Sequence, residues 1–367
     1  MSDKKRLCIV MPGHWTHVMG GAQYQVKLII DSLIATGEYE IFYLARNYDR
    51  RYEPKGYIIR NTGVLTSWRK IGVITDFPRV VSALKDLKPD IIYQRVASSY
   101  TAAAAYYAKN YNCRVVWHIA SEMDVTPGRR EFQKLNIKNF IEKRAIEYGI
   151  ANVDKIIVQT SDQADLLKKY YGRKADAIIS NFHPFPNEDL VKKEVLQVVW
   201  VGNLKMNKRP HLFIDLAEKF RTADIEFTMV GKIQGNESWQ KTLREKLASA
   251  KNLRYTGTVS QDEVNRIFSY SHLLVNTSSV EGFSNTYIQA WLRKVPVLSV
   301  ESNPDGVFEK YGIGVCAGTI ENLSICFSKL VNNRMELIKM GEKAETYARS
   351  YHSTDNVCRI TKVLNGD

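Results

Sequence analysis

A loop in the second half of the chain combines glycine and basic side chains in an arrangement that suits phosphate binding. Gly202-Asn203 ends an apolar run, and Lys208-Arg209 stands directly before Pro210. Proline is favoured in the first turn of a helix, so Pro210 predicts a helix start. Basic side chains at that point can add to the helix dipole and neutralise a diphosphate. The alternative is a solvated basic loop, the usual environment of a lysine.

A second segment, from Ser278 to Trp291, brings a carboxylate close to a predicted helix start. Ser284 or Asn285 suits an N-cap position, and the N–H groups of the helix would then face phosphate oxygens. Glu281 lies in the loop, where it can accept hydrogen bonds from sugar hydroxyls. Gln289, one turn inside the helix, is expected to point towards the same site. The alternative is a glutamate that only closes a turn.

Two features of the first half could also contact a substrate. Gly20-Gly21 stands directly before a predicted helix, where bare backbone N–H groups favour an anion. His118 ends the apolar run Val115–Trp117 and could hydrogen-bond a substrate hydroxyl. A flexible turn at the glycines and a core histidine satisfied by backbone groups are the respective alternatives.

These loops fit an α/β architecture, because apolar runs alternate with amphipathic segments. Such alternation predicts parallel sheets covered by helices on both faces, with ligands bound beyond the carboxyl ends of the strands. The predicted strands of the first half are Arg6–Met11, Tyr39–Ala45, Asp90–Gln94, Arg114–His118, Lys155–Gln159 and Ala177–Ser180. The predicted helices are Ala22–Thr36, Phe77–Leu87, Tyr100–Asn110, Glu131–Tyr148 and Ser161–Tyr171.

The proline-containing segment 181–189 interrupts the pattern, which then restarts. The second half has predicted strands Val195–Val201, Glu226–Val230, Leu273–Asn276 and Val295–Val300, a helix Pro210–Phe220, and a helical stretch Ser324–Leu364. We therefore predict two Rossmann-like domains that face each other across a cleft. The first would span 1–185 and the second 195–345, and a C-terminal helix, 346–367, would return towards the first.

The chain of 367 residues carries a net charge of +13, most of it in residues 1–150, where 23 Lys and Arg face 14 Asp and Glu. The surplus favours an anionic partner: a phosphate-bearing substrate, an acidic membrane surface or nucleic acid. The five cysteines are scattered, which is typical of reduced thiols in the cytoplasm. The apolar run Leu7–Met11 is too short for a signal peptide, and no run is long enough for a spanning helix.

Taken together, these segments resemble glycosyltransferase family 4, the retaining family with the GT-B fold, over nearly the whole chain. Gly20-Gly21-Ala22-Gln23 resembles the family's Gly-Gly-x-Glu loop, and Val201–Leu204 with Lys208 resembles its Gly-Arg-Leu-x-x-x-Lys phosphate motif. Asn181 falls where the family has its interdomain Pro-Asn-Gly segment. The most specific match is to the E-x7-E block followed by Pro-Val: Ser278, Glu281, Gly282, Phe283, Ser284, Asn285, Thr286, Gln289, Pro296 and Val297.

The sequence departs from the family pattern at three positions. The motif arginine is Asn203, which removes one expected diphosphate contact, and Arg209 or Lys205 could replace it. The second glutamate of the E-x7-E block is Gln289, which can still hydrogen-bond a ribose. Gln23 replaces the glutamate of the first loop.

The resemblance implies retaining transfer from a nucleotide sugar without a metal or other cofactor. Lys208 and the helix start at Ser284–Thr286 would stabilise the departing diphosphate, Glu281 would hold the donor sugar, and His118 the sugar or the acceptor. The further donor-site residues that the resemblance implies are Gly202, Asn203, Arg209, Ser278, Gly282, Phe283 and Gln289. Gly20, Gly21 and Gln23 would form the acceptor or phosphate loop. The resemblance also implies that domain 1–185 binds the acceptor and domain 195–345 the nucleotide sugar.

The resemblance and the basic first half favour a lipid-diphosphate-linked glycan acceptor in bacterial surface-polysaccharide assembly, used by a cytoplasmic protein at the inner face of the membrane. Thr66–Lys70 and the helix Phe77–Leu87, with Lys85 and Lys88, are the candidate membrane-facing segments. The alternative is that these segments are ordinary solvent-exposed surface of a soluble protein.

Three other functions compete with this interpretation. A sugar-nucleotide epimerase of the same fold would need acid and base groups beyond His118 and Glu281, and a non-catalytic sugar-nucleotide binder would fit Asn203 and Gln289. A nucleic-acid-binding protein would fit the charge, but the sequence lacks an aromatic-basic recognition motif, so nucleic acid is not an expected partner.

Overall fold

The computed structural model describes residues 4–62, 76–127, 137–187, 190–279 and 281–367, without the side chains of 137 and 138. The candidate membrane segment Thr66–Lys70 and the first six residues of the predicted helix Glu131–Tyr148 lie outside these ranges. None of the described helices is both long enough and apolar enough to cross a membrane.

The chain divides into two compact units. Unit 1 comprises 1–181 together with 354–367, and unit 2 comprises 182–353. The first unit thus ends four residues before the boundary predicted at 185, because the linker begins to interact with unit 2 there: the N–H of His183 donates to the carbonyl of His352 over 3.0 Å. The last fourteen residues belong to unit 1. Of the helical stretch predicted at Ser324–Leu364, only the final helix, Asp355–Asn365, is therefore part of unit 1.

Unit 1 contains one seven-stranded parallel sheet with the order β3-β2-β1-β4-β5-β6-β7. Its strands are β1 (Lys5–Val10), β2 (Tyr39–Ala45), β3 (Ile58–Asn61), β4 (Ile91–Arg95), β5 (Arg114–His118), β6 (Lys155–Val158) and β7 (Ala177–Ile178). Its helices are α1 (Gly21–Thr36), α2 (Phe77–Leu87), α3 (Ser99–Asn110), α4 (Ile137–Asn152), α5 (Ser161–Tyr171) and the C-terminal α13 (Asp355–Asn365).

Unit 2 contains a six-stranded parallel sheet with the order β10-β9-β8-β11-β12-β13. Its strands are β8 (Leu196–Val201), β9 (Ile225–Val230), β10 (Leu253–Gly257), β11 (Leu273–Asn276), β12 (Val297–Ser299) and β13 (Gly314–Cys316). Its helices are α6 (Pro210–Lys219), α7 (Glu237–Ser249), α8 (Gln261–Tyr270), α9 (Asn285–Trp291), α10 (Val307–Tyr311), α11 (Ile320–Val331) and α12 (Arg334–Tyr351).

The apolar runs form the central strands because both faces of each sheet are buried. Leu7, Cys8, Ile9 and Val10 of β1 are fully buried, and each fully buried aliphatic side chain contributes about 1.5–3 kcal/mol. Since the described strands of both sheets pair in parallel, the residues that follow them meet at one edge of each sheet. The prediction of two parallel α/β domains is confirmed, and these edges carry the predicted site residues.

Candidate functional site

Two predicted site residues of unit 2 are ion-paired with each other. Lys208 ends the turn that follows β8, Glu281 lies in the loop after β11, and Nζ of Lys208 contacts Oε1 of Glu281. The side chains are 26% and 12% exposed, so the pair is largely shielded from water. Because β8 and β11 are neighbours in the sheet, the two loops meet and bring a cation and a carboxylate into one site.

The carboxylate of Glu281 is fixed by two further donors. The Ser278 hydroxyl donates to Oε1 over 2.7 Å, and Nδ2 of Asn276 lies 3.4 Å from the same oxygen. Oδ1 of Asn276 in turn accepts from the N–H of Ser278 at 3.0 Å. The sequence predicted Ser278 in this site, whereas Asn276 was recognised only as the last residue of a strand.

Thr277 connects the two loops beneath this pair. Its hydroxyl donates to the carbonyl of Lys208 over 2.6 Å and accepts from Nε1 of the buried Trp200 at 2.9 Å. Ser279 continues the link, since its N–H donates to the carbonyl of Asn207. The backbone that carries Lys208 is therefore held to the loop that carries Glu281.

Arg209 is bound within unit 2 by two structural partners. Its Nε donates to the carbonyl of Thr277 at 2.7 Å, and its Nη1 to Glu301 at 2.9 Å. The residue has a positive φ of 45°, which is uncommon outside glycine and is found at functional sites. Its charge is already paired with Glu301, while the other candidate replacement for the motif arginine, Lys205, is exposed. Asn203 itself lies 3.5 Å from Nε2 of Gln234.

The glycine of the phosphate loop is constrained through a second glycine. Gly202 donates its N–H to the carbonyl of Val230, and a Cβ on Gly231 would lie 1.8 Å from the carbonyl oxygen of Gly202. Gly231 also has a φ of 137°. The close approach of the two loops thus requires glycine at 231.

The helix α9 begins where the sequence predicts. Ser284 is its N-cap, but the hydroxyl contacts Oγ1 of Thr286 at 2.8 Å rather than a backbone N–H. Gly282 and Phe283 are buried, and the Phe283 ring lies 4.5 Å from that of His352. Asn285 is the first helical residue. The motif residues therefore build the turn that precedes the helix.

Gln289 is 3% exposed and its amide is used by the neighbouring helix α8. Its Nε2 donates to Oε1 of Gln261 at 3.2 Å and to Oδ1 of Asn265 at 3.0 Å. The side chain therefore links α9 to α8 in addition to any contact with a ligand.

In unit 1, the predicted glycine loop leads into α1. Gly20 is the N-cap residue and Gly21 the first residue of the helix. A Cβ on Gly20 would lie 2.7 Å from Oε1 of Gln23, which shows that the glutamine side chain lies over this backbone. The three predicted loop residues therefore lie together at the helix start, whose first turn contains no acidic side chain.

His118, at the end of β5, is buried in a polar cluster of unit 1. Its Nδ1 lies 2.8 Å from the Tyr93 hydroxyl and 3.4 Å from Nη1 of Arg95, and Nη2 of Arg95 contacts Oδ1 of Asn181 at 2.5 Å. Burial, and secondly the charge of Arg95, lower the pKa of His118 well below its usual value, whereas the Ile179 carbonyl acts in the opposite direction. The ring is neutral at physiological pH.

The hydrogen bonds also determine which tautomer His118 adopts. A guanidinium can only donate, so Nδ1 must accept from Arg95, and the ring proton lies on Nε2. His118 therefore cannot act as a base at Nε2, and the Nε2–H group is buried within unit 1. The sequence analysis did not identify Arg95 as a site residue. A charged side chain at the end of the strand Ile91–Arg95 could have indicated it.

The structure brings together Lys208, Glu281 and Ser278, and separately Gly20, Gly21 and Gln23. His118 belongs to unit 1 and forms its own cluster. Within the described part of the chain, no group of three or more His, Cys, Asp or Glu residues is arranged to hold a metal ion.

Two family models match the chain. Residues 19–182 match Glycosyltransferase Family 4, and residues 196–333 match Glycosyl transferases group 1. The two matches together span most of both units. No curated protein sequence matches this chain significantly.

Solved structures of similar fold cover nearly the entire chain. Anabaena HepE, in complex with UDP and glucose, has a TM-score of 0.76 at 14% identity and covers 100% of both chains. WaaG, a glycosyltransferase involved in lipopolysaccharide biosynthesis, has a TM-score of 0.79 at 14% identity, covering 98% of this chain and 100% of its own. Sucrose-phosphate synthase from Thermosynechococcus elongatus has a TM-score of 0.78 at 13% identity, covering 99% and 98%. The predicted GT-B fold is confirmed.

Proposed function

Since the chain belongs to the family 4, group 1 glycosyltransferases, we propose that it transfers a sugar from a nucleotide sugar to a glycan acceptor with retention of configuration. The observation that carries the donor assignment is the Lys208–Glu281 pair at the carboxyl edge of the unit 2 sheet. A cation for the diphosphate and a carboxylate for sugar hydroxyls stand next to each other there. The complexes of HepE with UDP and with UDP-glucose support a nucleotide-sugar donor.

We propose that this site promotes cleavage of the donor by electrostatic stabilisation of the leaving group. As the glycosidic bond breaks, negative charge grows on the departing diphosphate, and Lys208 is the side chain that would stabilise it. The start of α9 would add to this effect through the positive end of its helix dipole. Removal of one such donor typically costs about 10²–10³ in rate. We propose that no metal takes part.

Unit 1 would bind the acceptor. The loop of Gly20, Gly21 and Gln23 offers backbone groups at the start of α1. His118 would donate its Nε2–H to the acceptor once this buried atom is exposed. The basic surplus of residues 1–150 supports an anionic, lipid-diphosphate-linked acceptor, and the similarity to WaaG supports a place in surface-polysaccharide assembly.

Such an acceptor would require a cytoplasmic protein that associates peripherally with an anionic membrane. The described candidate segment is α2, where Lys85 lies over the Tyr111 ring at 5.7 Å and Lys88 ends the helix. Co-sedimentation with liposomes tests this part of the proposal: binding that increases with the anionic lipid fraction supports it, and binding independent of that fraction contradicts it.

The donor assignment is tested by a thermal-shift panel of UDP-, GDP-, ADP- and CMP-linked sugars with wild type, Lys208→Ala and Glu281→Ala. A ligand at about 100 times its Kd adds roughly 2.7 kcal/mol of stability. We expect one donor to stabilise the wild type and both variants to lose the effect. No stabilisation by any donor would contradict the proposal. Product analysis with donor alone then separates a transferase from an epimerase, and transfer to an acceptor separates it from a non-catalytic binder.

A further inference from the structure

The Lys208–Glu281 pair has a consequence for ligand selection. We infer that the pair discriminates between the nucleotide sugar and the nucleoside diphosphate that remains after transfer; this inference rests on the proposed function. Any anion that binds Lys208 must share its ammonium group with Glu281, which already contacts Nζ of Lys208. The two ligands differ in what they offer to Glu281 in return.

The carboxylate cannot easily move away from an incoming phosphate. Its Oε1 is held by the Ser278 hydroxyl at 2.7 Å, and Asn276 lies 3.4 Å from the same oxygen. Ser278 is in turn fixed by the bond from its N–H to Asn276. A phosphate that reaches Lys208 therefore meets a second negative charge that stays in position.

Because the pair is shielded from water, the negative charge of Glu281 has a strong effect on a bound phosphate. With 26% of Lys208 and 12% of Glu281 exposed, water screens the interaction only in part. If a ligand takes Lys208 alone, the carboxylate is left without its cation, which is strongly unfavourable in a largely buried site.

A nucleotide sugar avoids this cost because hydroxyl groups follow its diphosphate. These hydroxyls can donate to Glu281 while the phosphate takes Lys208, so both partners of the pair remain satisfied. A nucleoside diphosphate ends in anionic oxygens and has no such donor beyond its terminal phosphate. Glu281 therefore favours the donor and disfavours the product, which promotes release after transfer.

The test compares the affinities of UDP and UDP-glucose, or of the diphosphate and donor that the panel identifies, by calorimetry. Glu281→Gln keeps the hydrogen-bonding shape but removes the charge. We expect it to bind the diphosphate more tightly, on the order of tenfold, and the nucleotide sugar no more tightly than wild type does. Unchanged or weaker diphosphate binding by this variant overturns the inference.

Two further variants distinguish charge from loss of structure. Ser278→Ala removes one of the bonds that hold the carboxylate but no charge, and Glu281→Asp keeps the carboxylate; both should retain a preference for the nucleotide sugar that Glu281→Gln loses. If either loses the preference as Glu281→Gln does, the charge is not its cause and the inference fails. If wild type binds neither compound, the proposed function itself fails, whereas normal wild-type binding with an unaffected Glu281→Gln overturns the inference alone.

Discussion

Nη1 of Arg95 lies 3.4 Å from Nδ1 of His118, at the carboxyl ends of two neighbouring strands of unit 1. This contact places the ring proton on Nε2, and the Arg95 charge adds to burial in lowering the pKa of His118. Arg95 is thus a positioning residue for a histidine that is expected to contact substrate. The two residues allow a test that does not depend on knowing the donor.

We predict that Arg95→Met raises the pKa of His118, because a nearby positive charge is removed. The pKa should remain below its usual value, since burial is the larger cause. Nitrogen-15 NMR of the imidazole gives both the pKa and the tautomer, and wild type should show Nε2–H. The exposed Arg79→Met is the control and should leave the ring unchanged. A protonated Nδ1 in neutral wild-type His118 would contradict the assignment.

Stability should decrease as the pH falls from 7 to 5. Burial lowers the pKa of His14 to about 4, and burial with Lys192 and Arg334 lowers that of His272 to about 4. These groups have a pKa of about 6.5 when unfolded, so below that value the unfolded chain binds more protons and is stabilised relative to the native state. The unfolding midpoint measured against pH tests this expectation.

His14→Gln provides the matched variant for this pH dependence. The ring bonds to Thr16 at 2.8 Å and to Tyr57 at 3.0 Å, and an amide can form similar bonds without titrating. We expect a shallower loss of stability between pH 7 and 5 than in wild type. An equally steep loss would show that other groups cause the acid sensitivity.

Gly231→Ala is expected to be more destabilising than Gly257→Ala. Both glycines have positive φ, but a Cβ at 231 would lie 1.8 Å from the Gly202 carbonyl, whereas nothing lies within 4 Å of one at 257. Gly257→Ala should lower the unfolding free energy only by the strain of alanine in a left-handed conformation, about 1–2 kcal/mol. The larger cost of Gly231→Ala can be measured by urea unfolding, and equal costs would contradict the close approach of the loops.

The sequence predicted the buried strands well and the edge strands poorly. The predicted ranges Tyr39–Ala45 and Arg114–His118 agree with the structure because their residues are apolar and buried on both faces. The edge strands Ile58–Asn61 and Leu253–Gly257 were missed because they carry polar, exposed side chains that do not stand out from a loop. These segments form strands because they pair with a neighbouring strand of the sheet, and this pairing is not visible in their own residues.

In the candidate site, too, local sequence patterns identified some residues, whereas roles that depend on distant partners were not predicted. Lys208 and Glu281 were predicted because motifs of local spacing mark them. Thr277 and Arg95 were missed because their roles depend on partners outside those motifs, such as the Lys208 carbonyl for Thr277 and Asn181 for Arg95. No local pattern reveals a hydrogen bond across dozens of residues.

Thr277→Val is expected to impair donor use through the position of Lys208. The substitution keeps the side-chain shape but leaves the Lys208 carbonyl and Nε1 of Trp200 without their partner, at a cost of about 1–3 kcal/mol. Because Lys208 would then be held less precisely, we expect kcat/KM for the donor to fall by up to about 10²-fold. Steady-state kinetics with the donor varied measures this loss.

Trp200→Phe separates positioning from general loss of stability. It removes the indole donor to Thr277 but leaves the bond from Thr277 to the Lys208 carbonyl intact. We therefore expect a comparable decrease in unfolding free energy with a much smaller decrease in kcat/KM. If the two variants lose activity in proportion to their stability, Thr277 acts only on the fold. If Thr277→Val loses much more activity at equal stability, the threonine holds Lys208 in place for the diphosphate.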